Sequence, residues 1–106
     1  VGSPSSTDAA EVAGATQLDL AASPNPFHDG SDLRFSVPRE DRVSLAVYDA
    51  SGRLVRELVD DTVGAGSHTT RWDGRDTSGQ RVATGVYFAR FTTTEGERVR
   101  KMIRVQ

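Results

Sequence analysis

The 106-residue chain carries 13 basic and 15 acidic side chains, 36% apolar residues and no cysteine. That is material for one hydrophobic core and not two, and a charge this close to balance gives no broad basic face for a nucleic-acid backbone or an anionic lipid surface. The missing thiols exclude disulfides, thiolate metal sites and cysteine redox chemistry, and no apolar run approaches the roughly 20 residues of a membrane helix.

Val1 to Thr16 is mostly Ala, Ser, Gly and Thr, with nothing larger than Val12 to bury after the first residue. Such a segment cannot offset the entropy of ordering it. Residues 1–17 are therefore expected to be a flexible linker, and residues 18–106 one folded domain. A start at Val1, without Met or a signal peptide, reads as a cut from something longer.

From Leu18 the chain becomes short β-type runs broken by turn residues, at the 8–12-residue spacing of a sandwich or barrel. Seven strands are predicted: Leu18 to Ser23, Leu33 to Val37, Arg42 to Tyr48, Leu54 to Val59, Ser67 to Trp72, Gly85 to Thr93 and Glu97 to Val105. No stretch pairs a helix cap with a helical apolar period, so no significant helix is expected.

Alternation names the inward faces. Leu33, Phe35 and Val37 form one buried row, and Val43, Leu45 and Val47 another. In the sixth run Tyr87, Ala89 and Phe91 oppose Val86, Phe88 and Arg90, which makes that strand apolar on both faces and central. In the last run Val99, Ile103 and Val105 are expected inward. Lys101 then falls on the buried side and Met102 on the wet side, which calls for a bulge or a Lys stem lying along the rim. Between the first two strands Pro24-Asn25-Pro26 removes two ladder donors and should end the strand or carry the chain between sheets. Gly52 and Gly96 stand where hairpins need unusual backbone angles.

Asn25-Pro26-Phe27, then Tyr48-Asp49 with Gly52-Arg53, then Trp72-Asp73-Gly74 with Asp76 and Gly79, then Thr84-Gly85-Val86-Tyr87, and a basic-apolar close at Lys101 to Val105 follow one another in order. This series resembles the immunoglobulin-like domain named after the flagellar hook-capping protein FlgD, and is similar to the C-terminal sorting domain of type IX secretion substrates. The resemblance implies an all-β, immunoglobulin-like antiparallel sandwich of about seven strands. It also implies a non-catalytic C-terminal structural or sorting module of a larger exported or surface bacterial protein, located outside the cell. The alternatives it leaves are a scaffold domain of a flagellar hook cap and a carbohydrate-binding module. Its expected partners are an upstream domain of the same parent, secretion machinery or a surface glycan, with no nucleic acid and no membrane insertion.

Several side chains carry two readings. Trp72, with Tyr48 and Tyr87, either offers a stacking platform for sugar rings or packs at the sandwich edge with its indole N–H on a loop carbonyl. Asp73, Asp76 and Ser78 bear oxygens suited to Ca²⁺, the one cofactor considered, or hold their own turn through backbone N–H groups. Asp29 and Asp32 pose the same choice. His28, Asp29 and Ser31 have hydrolase-triad chemistry, but neighbours in one loop rarely place the base between nucleophile and acid, so no catalytic residue is assigned. Arg98, Arg100, Lys101 and Arg104 make the last strand basic, either as a guard against edge pairing or as an interaction stripe for an acidic receptor or glycan.

Overall fold

The computed structural model describes residues 17–106; apart from Gln17, the expected linker lies outside the described residues. Seven strands follow in order: β1 (Asp19–Ser23), β2 (Ser31–Val37), β3 (Asp41–Asp49), β4 (Leu54–Val63), β5 (Gly66–Trp72), β6 (Gly85–Thr93) and β7 (Gly96–Arg104). They form two antiparallel sheets, β1-β2-β5 and β4-β3-β6-β7, with no helix among the described residues. Every predicted strand is present, and β6 is interior to its sheet as its two-sided apolarity requires.

The core lies between the inner rows. Leu33, Phe35 and Val37 from β2 face Val43, Leu45 and Val47 from β3, with Ala89 and Phe91 from β6 closing the layer, all buried. Phe35 packs on Phe91 at 5.1 Å between ring centres. Fully burying a side chain of this size is worth about 1.5–3 kcal/mol. The far end of the core is aromatic: Trp72 sits edge-on to Phe27 at 5.3 Å and to Tyr87 at 5.4 Å, an arrangement that sets ring edges against ring faces.

The Pro24 to Phe27 segment both ends β1 and crosses between the sheets. After β1, Phe27 forms a parallel bridge to Arg104 on the far sheet, donating from its N–H to Ile103 O and accepting from Val105 N–H, both at 2.9 Å. Asn25 extends this contact with its side chain. Its Nδ2 donates to Lys101 O at 2.8 Å and its Oδ1 accepts from Ile103 N–H at 3.0 Å. The primary amide thus supplies the donor and acceptor of a strand residue at a place where the flanking prolines have no N–H to give.

One inward row differs from expectation. Met102 is fully buried while Val99 is 43% exposed, so β7 presents Arg98, Arg100 and Met102 toward the interior side and Val99, Lys101 and Ile103 outward. The cause is the hairpin. Thr93 pairs with Gly96 across a two-residue turn, and unbroken register from there sets Arg98 opposite Phe91, Arg100 opposite Ala89 and Met102 opposite Tyr87. Residues directly opposite in an antiparallel pair share a face. The turn fixes that parity, and neither a bulge nor a buried Lys stem is needed. The bulges lie instead in the β3–β4 pair, at Leu45/Ala46 and Val47/Tyr48. Near the second, Val55 O turns away from the ladder and accepts from Thr77 N–H at 3.0 Å, which ties β4 to the loop after β5.

Candidate functional site

Two loops at one end of the sandwich are built alike. Asp49-Ala50-Ser51-Gly52-Arg53 joins β3 to β4, and Asp76-Thr77-Ser78-Gly79-Gln80 lies in the segment between β5 and β6. In the first, Asp49 Oδ1 accepts from Ser51 N–H, Ser51 Oγ–H and Arg53 N–H at 2.9, 2.6 and 3.0 Å. In the second, Asp76 Oδ1 accepts from Ser78 N–H, Ser78 Oγ–H and Gln80 N–H at 2.9, 2.6 and 3.0 Å. Gly52 and Gly79 take φ of 89° and 90°, a left-handed angle that glycine adopts without a Cβ clash. The matching pentapeptides D-x-S-G-x are visible in the sequence as a short internal repeat. Between the loops opens a cleft of about 570 Å³ lined by Arg53, Val55, Arg81 and Tyr87 among others.

The hydrogen bonds hold both carboxyls below the usual carboxylate range. For Asp49 the Ser51 hydroxyl contributes most and the Arg53 amide next; for Asp76 the Ser78 hydroxyl leads and the Gln80 amide follows. A depressed folded pKa stabilises the fold above the unfolded value, about 3.9, and the contribution disappears as pH falls through the folded value. Melting temperature recorded from pH 6 down to pH 2 should therefore drop below about pH 4, and Asp49→Asn with Asp76→Asn should flatten that drop. An equally steep acid limb in the double variant would contradict this assignment.

Asp73 Oδ1 accepts from Arg75 N–H at 3.0 Å and from Arg56 Nη1 at 3.3 Å. The set Asp73, Asp76 and Ser78 is thus held in turn geometry. Asp29 pairs with Arg81 and Asp32 with Arg71, each at 3.0 Å, and the Arg81 hydrogen bond and charge lower the Asp29 pKa. Among the described residues no three carboxylates or imidazoles gather as metal ligands do.

Trp72 is fully buried, and its indole N–H donates to Arg75 O at 2.9 Å. The stacking platform is corrected on that ground, because no ring face reaches solvent; Tyr87 is its core neighbour and Tyr48 lies on the outer face of the four-stranded sheet, beside Arg90. Ser31 is buried with its hydroxyl on Pro24 O at 2.8 Å, while Asp29 turns to Arg81 and His28 is exposed. The triad residues do not converge.

The basic residues of β7 divide by face. Arg104 is half-buried and donates to Val82 O at 3.1 Å, which makes it a brace for the β5–β6 loop. Lys101 is exposed on the opposite face from the three arginines. Arg98 Nη1 donates to Glu97 O at 2.8 Å and Arg100 Nη1 to Val99 O at 3.0 Å. Two carbonyls of the last strand thus accept hydrogen bonds from guanidinium groups of the same strand. The bridging role of Asn25 and the outward row of β7 are not read from the sequence; the signal for Asn25 is the polar amide between two prolines.

Seven antiparallel strands in two sheets, three packed on four over a single core, make this an immunoglobulin-like sandwich module. The chain belongs to the FlgD Ig-like domain family, whose sequence model matches residues 27–97, from the Phe27 bridge into the start of β7. Over 56 residues it is 39% identical to the basal-body rod modification protein FlgD of Salmonella typhimurium, which is 53% of this chain and 24% of that protein; the Salmonella typhi protein gives the same figures. The chain spans about a quarter of the length of these curated relatives. Among solved structures it resembles dimeric latent PorU from Porphyromonas gingivalis, with a TM-score of 0.69 and 26% identity over 83% of this chain and 9% of that one. FlgD from P. aeruginosa shares the fold at a TM-score of 0.57 and 23% identity, over 79% of this chain and 69% of its own.

Proposed function

We propose that this domain is a non-catalytic module at the C-terminal end of a larger exported or surface-attached bacterial protein, and that its last strand serves as a sorting element. The observation that supports this reading most is how the fold uses its reactive groups. Trp72, Asp49, Asp73, Asp76 and Ser31 each direct their polar atoms to the domain's own backbone, and Arg98 and Arg100, although each places one guanidinium nitrogen on a carbonyl of β7, are exposed on that strand. Those two guanidinium groups suit an acidic receptor or an anionic surface glycan.

Reversing them tests the idea, because neither contributes to the core. In the cell that makes the full-length protein, Arg98→Glu with Arg100→Glu should leave the melting temperature within a few degrees of wild type and cut the exported fraction severely. Normal export of that variant would overturn the sorting role. The 39% identity to a basal-body rod modification protein favours a second reading, a scaffold domain of a flagellar hook cap. Under it the same variant leaves export unchanged, and deleting the gene abolishes swimming.

A further inference from the structure

The two sheets differ on their solvent faces. The outer face of β1-β2-β5 is polar, with Asp19, Asp32, Arg34, Ser67, Thr69 and Arg71 in register. The outer face of β4-β3-β6-β7 instead sets a band of apolar residues among its charged ones. Leu54, Val86 and Val99 are 52%, 37% and 43% exposed, and between them stand Tyr48 and Phe88, directly paired across β3 and β6. An antiparallel sheet with one face in water ordinarily alternates to polar residues on that face, so this face departs from the rule.

Its charges are also incomplete. Arg90 is paired with Glu97 and Arg42 with Asp60. Among the described residues Glu57 and Lys101 have no ion-pair partner, and both point outward: Glu57 is opposite Ala46 and Lys101 opposite Phe88. They stand on the two outermost strands of the sheet, three strand spacings or about 14 Å apart, too far to pair with each other.

We infer that this face binds a second copy of the chain, face to face, about a two-fold axis that runs parallel to the strands between β3 and β6. That operation lays β7 on β4 of the other copy and β6 on its β3. Phe88 of each copy then meets Tyr48 of the other beside the Arg90 guanidinium that already lies over that ring. Lys101 rests its methylene stem on Leu54 and brings its ammonium to Glu57 of the other copy, and every contact occurs twice. A second copy is the occupant whose surface supplies an anion for each lone cation and an aromatic ring for each aromatic ring. Four strands and three outward rows cover about 400 Å² per copy, short of the roughly 1,200 Å² total of a stable interface. The dimer is therefore weak, with dissociation in the micromolar range or above.

Sedimentation velocity from about 10 μM to 1 mM should show reversible dimerisation of the wild-type chain. Lys101→Glu alone and Glu57→Lys alone should each weaken it about tenfold or more, while both remain folded by circular dichroism. The exchanged double variant, Lys101→Glu with Glu57→Lys, should recover the wild-type behaviour. A monomer throughout the range would overturn the inference, and so would a double variant no stronger than the single ones. Solution mass is independent of export, so this result stands or falls apart from the sorting proposal.

Discussion

Replacing Phe27 with Ala should cost the domain about 3–5 kcal/mol, the range for truncating a fully enclosed phenylalanine. Phe27 has no solvent exposure, and its ring is edge-on to Trp72. Its position leaves little room to relax, because the backbone on both sides of the ring is fixed to β7 through Ile103 O and Val105 N–H. A domain of this size typically has about 5–15 kcal/mol in total, and each kilocalorie moves its melting point by about 4–8 °C. The variant should therefore melt some tens of degrees lower. Urea titration followed by Trp72 emission reads the effect directly, since the lost ring is a neighbour of the indole. A loss under about 1 kcal/mol would mean that the site collapses around the smaller side chain.

Truncation before Arg98 should go further and abolish the cooperative unfolding transition. The nine residues removed include Met102, fully buried opposite Tyr87, the acceptors and donors that hold Asn25 and Phe27, and the Arg104 brace beneath the β5–β6 loop. With β7 gone, β6 becomes an edge strand whose buried row has lost its cover. Differential scanning calorimetry should show no peak for the truncated chain, and a retained sharp transition would refute this account. The consequence for cell biology is that loss of export on truncation reports an unfolded domain, and only surface substitutions such as those at Arg98 and Arg100 can isolate a recognition signal.

The strands were legible because alternation and turn chemistry agreed along most of the chain. Leu33, Phe35 and Val37 needed only a period of two to be assigned inward, and Pro24-Asn25-Pro26 announced a strand end or a crossing by its missing donors, and the segment is both. The last strand misled because apolar residues occur on both of its faces. Val99 and Ile103 outnumber Met102, yet the two-residue turn at Thr94-Glu95 decides which row is buried. Trp72 carried two readings in the sequence, and only its position at the end of β5, against Phe27 and Tyr87, separates them. Alternation already sets Tyr48 opposite the buried row of β3 and Phe88 in the second apolar row of β6, but only the pairing of the two strands shows that they meet on one outer face.

The bridge at Phe27 also determines how the domain bears a load. The crossing segment runs parallel to β7, so tension along the chain, entering before Asn25 and leaving after Val105, slides the two segments past each other lengthwise. Two main-chain bonds at Phe27 and two from the Asn25 amide are then strained together and must fail together, instead of opening one at a time as in an unzipped hairpin. A module fastened in this way resists being drawn out by its ends, a property of use to any protein held at a surface under flow.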